Sequence, residues 1–185
     1  MVDLVEIQAA YYMVAATGVL VAAVYYVMTL RTTQRNMKQT LETRRIGLVD
    51  SLITRTINVE GYKRFFELLR YEWKDYEDFE RKYGSENNVE AASKRFAIWH
   101  DYNSTGMMLR KGLVEAEDLY DMGMIGVIFL WEKYRPIIEE NRRRYNGQNY
   151  LRDLEYLAGE MLRVVRERDP SYRIPEALDK YVPDK

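Results

Sequence analysis

Residues 7–30 read IQAAYYMVAATGVLVAAVYYVMTL, a stretch that contains no charged side chain. As an α-helix these 24 residues would extend about 36 Å, whereas the apolar core of a bilayer is about 30 Å thick. Tyrosine pairs lie near both ends, at Tyr11–Tyr12 and Tyr25–Tyr26, where aromatic side chains favour the membrane interfaces. The sequence therefore predicts a transmembrane anchor over residues 1–30 and a single-pass protein of the cell membrane.

Two other interpretations of this stretch are weaker. A core helix of a soluble domain seldom sustains more than about 18 uncharged, mostly apolar residues. A cleaved signal peptide needs a positively charged start and a shorter apolar segment, whereas Asp3 and Glu6 precede this one. We therefore expect the anchor to stay attached to the chain.

Basic residues follow the apolar stretch and set the expected orientation. They are Arg31, Arg35, Lys38, Arg44 and Arg45. Because positive charge near the end of a membrane helix favours the cytoplasmic side, we expect the N-terminus outside and the C-terminal domain in the cytoplasm. The same cations would lie against anionic lipid headgroups, which makes the bilayer itself a predicted partner.

The rest of the chain predicts an all-α fold, because helix-period apolar stripes recur and no long stretch alternates with period two. We expect a basic stalk helix continuing from the membrane over residues 31–57, a helical bundle over 58–168 and a proline-containing tail over 169–185. Within the bundle, Asn58 and Asp75 are predicted N-caps, and a longer helix is expected from Asn88 to a stop at Arg110–Gly112. Further helices are expected over 113–122, from Met124 with a kink or restart at Pro136, and over 149–168.

Several residues of the bundle carry more specific expectations. Tyr62, Phe65, Phe66, Leu69 and Trp73 follow helical spacing and predict one buried stripe. Gly84 is predicted to end a helix in the left-handed conformation, Gly123 and Gly126 to be close packing points, and Trp131 to be buried. These are the expectations that the structure tests.

Small residues predict a packing seam on the transmembrane helix. Ala15, Gly18 and Ala22 recur at steps of three and four and so lie on one face. Small side chains let two membrane helices approach closely, so the seam predicts pairing with a second copy or with a partner membrane protein. The alternative is that alanine and glycine are simply common in membrane helices.

Composition narrows the chemistry that the chain can perform. The net charge of −1 argues against nucleic acid as a partner, and the absence of cysteine removes thiolate nucleophiles and sulfur-ligated metal sites. His100 is the single histidine and is expected to be a surface or half-buried side chain, while Glu139 and Glu140 point about 100° apart and predict a solvated face. We accordingly predict no catalytic, cofactor-binding or metal-binding residue.

The stretch from Trp99 to Met161 resembles the DUF4760 family. The resemblance rests on Gly106, on the helix stop Leu109–Leu113 with the acidic turn after it, on Trp131 with Pro136 five residues later, and on the run Arg142–Tyr145. It implies a prokaryotic single-span membrane protein with a helical cytoplasmic domain, and it implies no activity.

Function is then a choice among three hypotheses. The leading one is a noncatalytic membrane-anchored interaction module or accessory subunit, because it needs no catalytic constellation. The second is a signalling or regulatory protein coupled laterally to a membrane partner. The third is an enzyme with a pocket among the aromatic helices, which convergent polar groups in a concave site would reveal.

Overall fold

The computed structural model describes residues 3–174, except the side chains of Ile53, Arg55 and Thr56. Within that range the chain is helical without a strand, which confirms the predicted all-α class. Seven helices follow one another: α1 Leu4–Thr56, α2 Val59–Leu69, α3 Tyr76–Tyr83, α4 Val89–Arg110, α5 Ala116–Asp121, α6 Gly126–Arg144 and α7 Arg152–Arg168. The predicted tail is described as far as Ile174, and residues 175–185, with Pro175 and Pro183, lie outside the described residues.

The described residues divide between Ile46 and Gly47 into two units. The first consists of the N-terminal part of α1, whose side chains are exposed almost throughout. The second contains the end of α1 and all the later helices. Along the chain, the first residue of its core is Leu52, which is almost fully buried. Leu48 and Val49 are partly buried and pack against this core.

In the second unit α7 packs most extensively against α4 and also contacts α5 and α6. The predicted apolar face of α7 is confirmed, since Leu154, Leu157, Ala158, Met161 and Val165 are all buried. Trp131 of α6 is buried, with 8% of its surface exposed, which confirms the prediction. Trp99 and Tyr134 are buried still more deeply, and their rings pack edge to face with 5.4 Å between the centroids. Aromatic side chains therefore fill the space between α4 and α6.

Local capping signals in the sequence proved accurate. The side chains of Asn58, Asp75 and Asn88 accept hydrogen bonds from backbone N–H groups three residues later, which is the N-cap geometry. Gly112 follows α4 with a φ of +68°, in the left-handed conformation that ends many helices.

Two glycine predictions need correction. Gly84 has a φ of −67° and is extended, although its N–H still donates to the carbonyl of Glu80. Gly123 has a φ of +84° and open space around it, so it is the left-handed terminator of α5 and not a packing point. Gly126 is a packing point, because a Cβ there would lie 3.1 Å from the ring of Phe65.

Helix boundaries and faces also differ from prediction. The predicted helix over 113–122 is limited to α5, and α7 begins at Arg152 because Leu151 adopts a left-handed φ of +54°. No restart occurs at Pro136, since α6 continues through it with the following Ile137 and Ile138 buried in the core. The stripe predicted on α2 is partly wrong, because Tyr62 is 47% and Phe66 53% exposed whereas Leu68 is buried. Trp73 is buried as expected but lies beyond the end of α2.

Candidate functional site

From Leu4 onward, the predicted anchor forms one uninterrupted part of α1. By length and composition α1 is the one helix of the described chain that is apolar enough to cross a membrane; its most apolar window has a mean hydropathy of 2.0 and none of it is buried. A core helix of a soluble protein with this composition would be largely buried. The exposed surface of α1 is therefore the first candidate functional site.

The predicted basic residues lie on α1 just beyond the charge-free residues 7–30. Arg31, Arg35, Lys38 and Arg44 are exposed and Arg45 is half-buried. At about 100° per residue, helical geometry brings all of them except Arg44 within an arc of about 80°. Four of the five cations therefore lie on one side of the helix.

The predicted seam residues also share one face of α1. Helical geometry brings Ala15, Gly18 and Ala22 within an arc of about 60°, and all three are exposed. A Cβ added at Gly18 would meet no atom within 4 Å. The face has room for a neighbouring helix, and its pairing stays a prediction.

The second unit contains a separate candidate site, a cavity of about 380 Å³. It lies where α3 and the loop after it approach α4 and the end of α6. Its lining combines aromatic rings with polar and charged groups: Glu80, Ser85, Arg95, Phe96, Asn141, Tyr145, Gly147 and Tyr150. Ligand cavities are typically about 300–1,000 Å³ with a few placed polar groups, so this one is large enough to hold a small molecule.

Arg95 is the least expected residue of this cavity. Its side chain is only 3% exposed, and its guanidinium carbon lies 4.7 to 5.1 Å from the ring centroids of Phe79, Phe96 and Trp99. Nη1 donates to the carbonyl of Tyr83 at 2.9 Å, whereas the buried Nε has no hydrogen-bond partner. Burial lowers the pKa of Arg95, and the negative charge of Glu80 acts against that shift.

Glu80 and Asn141 complete the polar part of the cavity. The carboxylate of Glu80 makes no hydrogen bond or ion pair with any described residue, although its charge acts on Arg95, Tyr76 and Tyr150. The hydroxyl of Tyr76 donates to Oδ1 of Asn141 at 2.7 Å. That bond fixes the amide so that its nitrogen remains available as a donor.

A second buried cation, Lys133, has a structural explanation. Its ammonium donates to the carbonyls of Leu69 at 3.0 Å and Tyr71 at 2.6 Å, and the hydroxyl of Tyr134 donates to Leu68 at 2.8 Å. These carbonyls are at and just beyond the end of α2, where helix carbonyls lack partners within the helix. Burial lowers the pKa of Lys133 to about 8.

Other candidates from the sequence are placed as expected or explained by local pairing. His100 is exposed. Glu140 forms ion pairs with Arg143 and Arg144, and these arginines lower its pKa to about 2. Residues 3–174 contain no group of three histidine, cysteine or acidic side chains that could hold a metal ion.

The sequence analysis missed both charged residues of the cavity. Arg95 was detectable, because it occurs among the apolar residues Ala91, Ala92, Ile98 and Trp99 on the buried face of an amphipathic helix. Glu80 gave no such signal, because acidic residues are common on helix surfaces and only the fold brings it beside Arg95.

Comparison with known proteins gives one family match. The model of a family described as a domain of unknown function, DUF4760, matches residues 12–161. No curated protein and no solved structure matches the chain. The match spans most of the chain, including α1 from Tyr12 onward and the residues that line the cavity. This protein therefore belongs to the DUF4760 family.

Proposed function

We propose that this protein is a noncatalytic, membrane-anchored interaction module whose helical domain is held at the cytoplasmic face of the cell membrane. One observation carries the proposal: the long charge-free stretch within α1 is not buried by any part of the described chain. Leaving so much apolar surface in water would be costly, at about 25 cal/mol per Å². A bilayer removes that cost.

The orientation and the partners belong to the same proposal. The cations Arg31, Arg35, Lys38 and Arg45 on one side of α1 support a cytoplasmic position of the following domain and contact with anionic headgroups. The seam at Ala15, Gly18 and Ala22 supports association with a second copy or with a partner membrane protein. In this arrangement the helical domain presents its surface to that partner.

Alkaline carbonate extraction of native membranes tests the anchor. We expect the full-length protein to stay in the membrane pellet until detergent is added. The matched variant carries Leu20→Lys and Val24→Lys, each of which opposes insertion by about 3 kcal/mol, and we expect it in the soluble fraction. Release of the unmodified protein by carbonate alone would refute the anchor.

Single cysteines test the orientation, because the chain has no native cysteine. We expect Ser171→Cys to resist a membrane-impermeant thiol reagent in intact cells and to react after the cells are lysed. Asp3→Cys, at the opposite end of α1, should react in intact cells and serves as the control. The reverse pattern would place the helical domain outside.

A further inference from the structure

The cavity between α3, α4 and the end of α6 contains two opposite charges that do not satisfy each other. Arg95 and Glu80 both line it, yet their side chains form no hydrogen bond or ion pair with each other. A buried charge without a partner is strongly unfavourable, and proteins normally avoid it by pairing. The space between these two charges is therefore what requires explanation.

Contacts within the protein account for Arg95 only in part. The surrounding rings attract a cation, and the carbonyl of Tyr83 accepts one of its five N–H groups. Nε has no acceptor, and a guanidinium is suited above all to an oxyanion, which it can bind through two parallel hydrogen bonds. An oxyanion in the cavity would supply the missing charge and would accept from Nη2, for which no described residue provides an acceptor.

Glu80 specifies a second feature of the ligand. A simple anion would bring a negative charge next to a carboxylate that already lacks a cation, and like charges at such short range repel. An ammonium group on the ligand would remove that repulsion and give Glu80 its partner. Asn141, held by Tyr76, offers a further donor to the oxyanion, and Phe96 and Tyr150 offer apolar surface to the rest of the molecule.

We infer that the cavity binds a small zwitterion of the α-amino acid class, with its carboxylate on Arg95 and its ammonium on Glu80. The inference rests on the second unit alone and does not depend on the membrane anchor. It assigns a small-molecule site to the helical domain, in addition to the membrane anchor.

Binding of amino acids to the full-length chain in detergent micelles tests the inference. Each common L-amino acid is added alone, and binding is measured by isothermal titration calorimetry. For the tightest binder, the corresponding acid without the amino group and the corresponding amine without the carboxylate are measured next. We expect saturable binding of at least one amino acid, and affinity about tenfold or more weaker for both single-charge analogues.

Glu80→Gln gives the decisive comparison, because Glu80 is half-buried and its loss leaves Arg95 and the surrounding rings in place. The Glu80→Gln variant should bind the amino acid and its analogue without the amino group with equal affinity. Glu139→Gln, an exposed change on α6 that lies outside the cavity, should bind as the unmodified protein does.

Three results would overturn the inference. They are no binding of any amino acid, equal binding of the amino acid and its deaminated analogue, and unchanged discrimination in Glu80→Gln. Tighter binding of inorganic phosphate than of every amino acid would also overturn it, because phosphate lacks the cation that Glu80 requires.

Discussion

Gly106 lies where the backbone of α4 approaches the start of α7 closely. A Cβ there would collide with the backbone carbonyl of Asp153 and would lie 3.1 Å from Cβ of Leu157. Next to this contact, Oδ1 of Asn103 accepts from the N–H groups of Asp153 and Leu154 at 3.2 and 3.1 Å. The start of α7 is thus capped by a side chain from α4 and needs the glycine to reach it.

We predict that Gly106→Ala destabilises the protein strongly, because the backbone of α7 would have to move away and lose the cap from Asn103. The loss should be in the range of about 1–3 kcal/mol that overpacking typically costs, or more. Thermal unfolding of the full-length chain in detergent measures it.

Gly159→Ala is the matched control for this change. Gly159 lies within α7, and a Cβ there would meet nothing within 4 Å. Alanine should therefore raise stability by about 0.5–1 kcal/mol through its better helix propensity. A Gly106→Ala variant as stable as Gly159→Ala would show that α4 and α7 are not held so closely.

Among the helices, α2 shows how side chains of one helix satisfy backbone groups of another. Its start is capped locally by Asn58, but no side chain of its own satisfies its last carbonyls, which bind Lys133 and Tyr134 of α6. The end of α2 and the middle of α6 are thus linked by polar contacts between side chain and backbone. By contrast, the side chains of residues 7–30 in α1 are all exposed.

The exposed surface of residues 7–30 leads to a prediction about association of α1 with another helix. In membranes, Gly18→Leu should weaken association of the helix, because a large side chain on the seam keeps a second backbone away. Val21→Leu, a similar gain in size on another face, should have little effect. Crosslinking yields of the two variants in native membranes give the comparison, and equal yields would refute the seam while leaving the anchor intact.

For the whole molecule, buried titratable groups make stability depend on pH. Burial lowers the pKa of Lys133 to about 8, whereas lysine in the unfolded chain keeps its proton up to about pH 10.5. Between these values the unfolded chain binds more protons, so stability rises with pH. Burial also raises the pKa of Tyr76 to about 12, so above about pH 10 the unfolded chain loses tyrosine protons first and stability falls again.

We therefore predict that the free energy of unfolding increases by on the order of 2 kcal/mol from pH 8 to pH 10 and then declines. Lys133→Met should remove the increase, while Lys63→Met, at an exposed position of α2, should retain it. Urea unfolding of the full-length chain in detergent, followed by tryptophan fluorescence across this pH range, measures the profile. The same rise in Lys133→Met would assign the pH dependence to other groups.

Features that depend on near neighbours in the chain could be predicted from the amino-acid sequence alone. Helix starts at Asn58, Asp75 and Asn88 follow from side chains that bind N–H groups three residues away, and the apolar length of residues 7–30 is a property of composition. The all-α class and the family followed from the same local patterns. Each of these was available before any fold was known.

Which distant groups meet depends on how the helices pack in the folded protein. The cap of α7 comes from Asn103, some fifty residues earlier, and the partners of Lys133 lie more than sixty residues away. The cavity exists because the fold brings Glu80, Arg95 and Asn141 together from three helices. Local pattern cannot predict such a site, because the energy of each charge depends on the burial and the partners that the other helices provide.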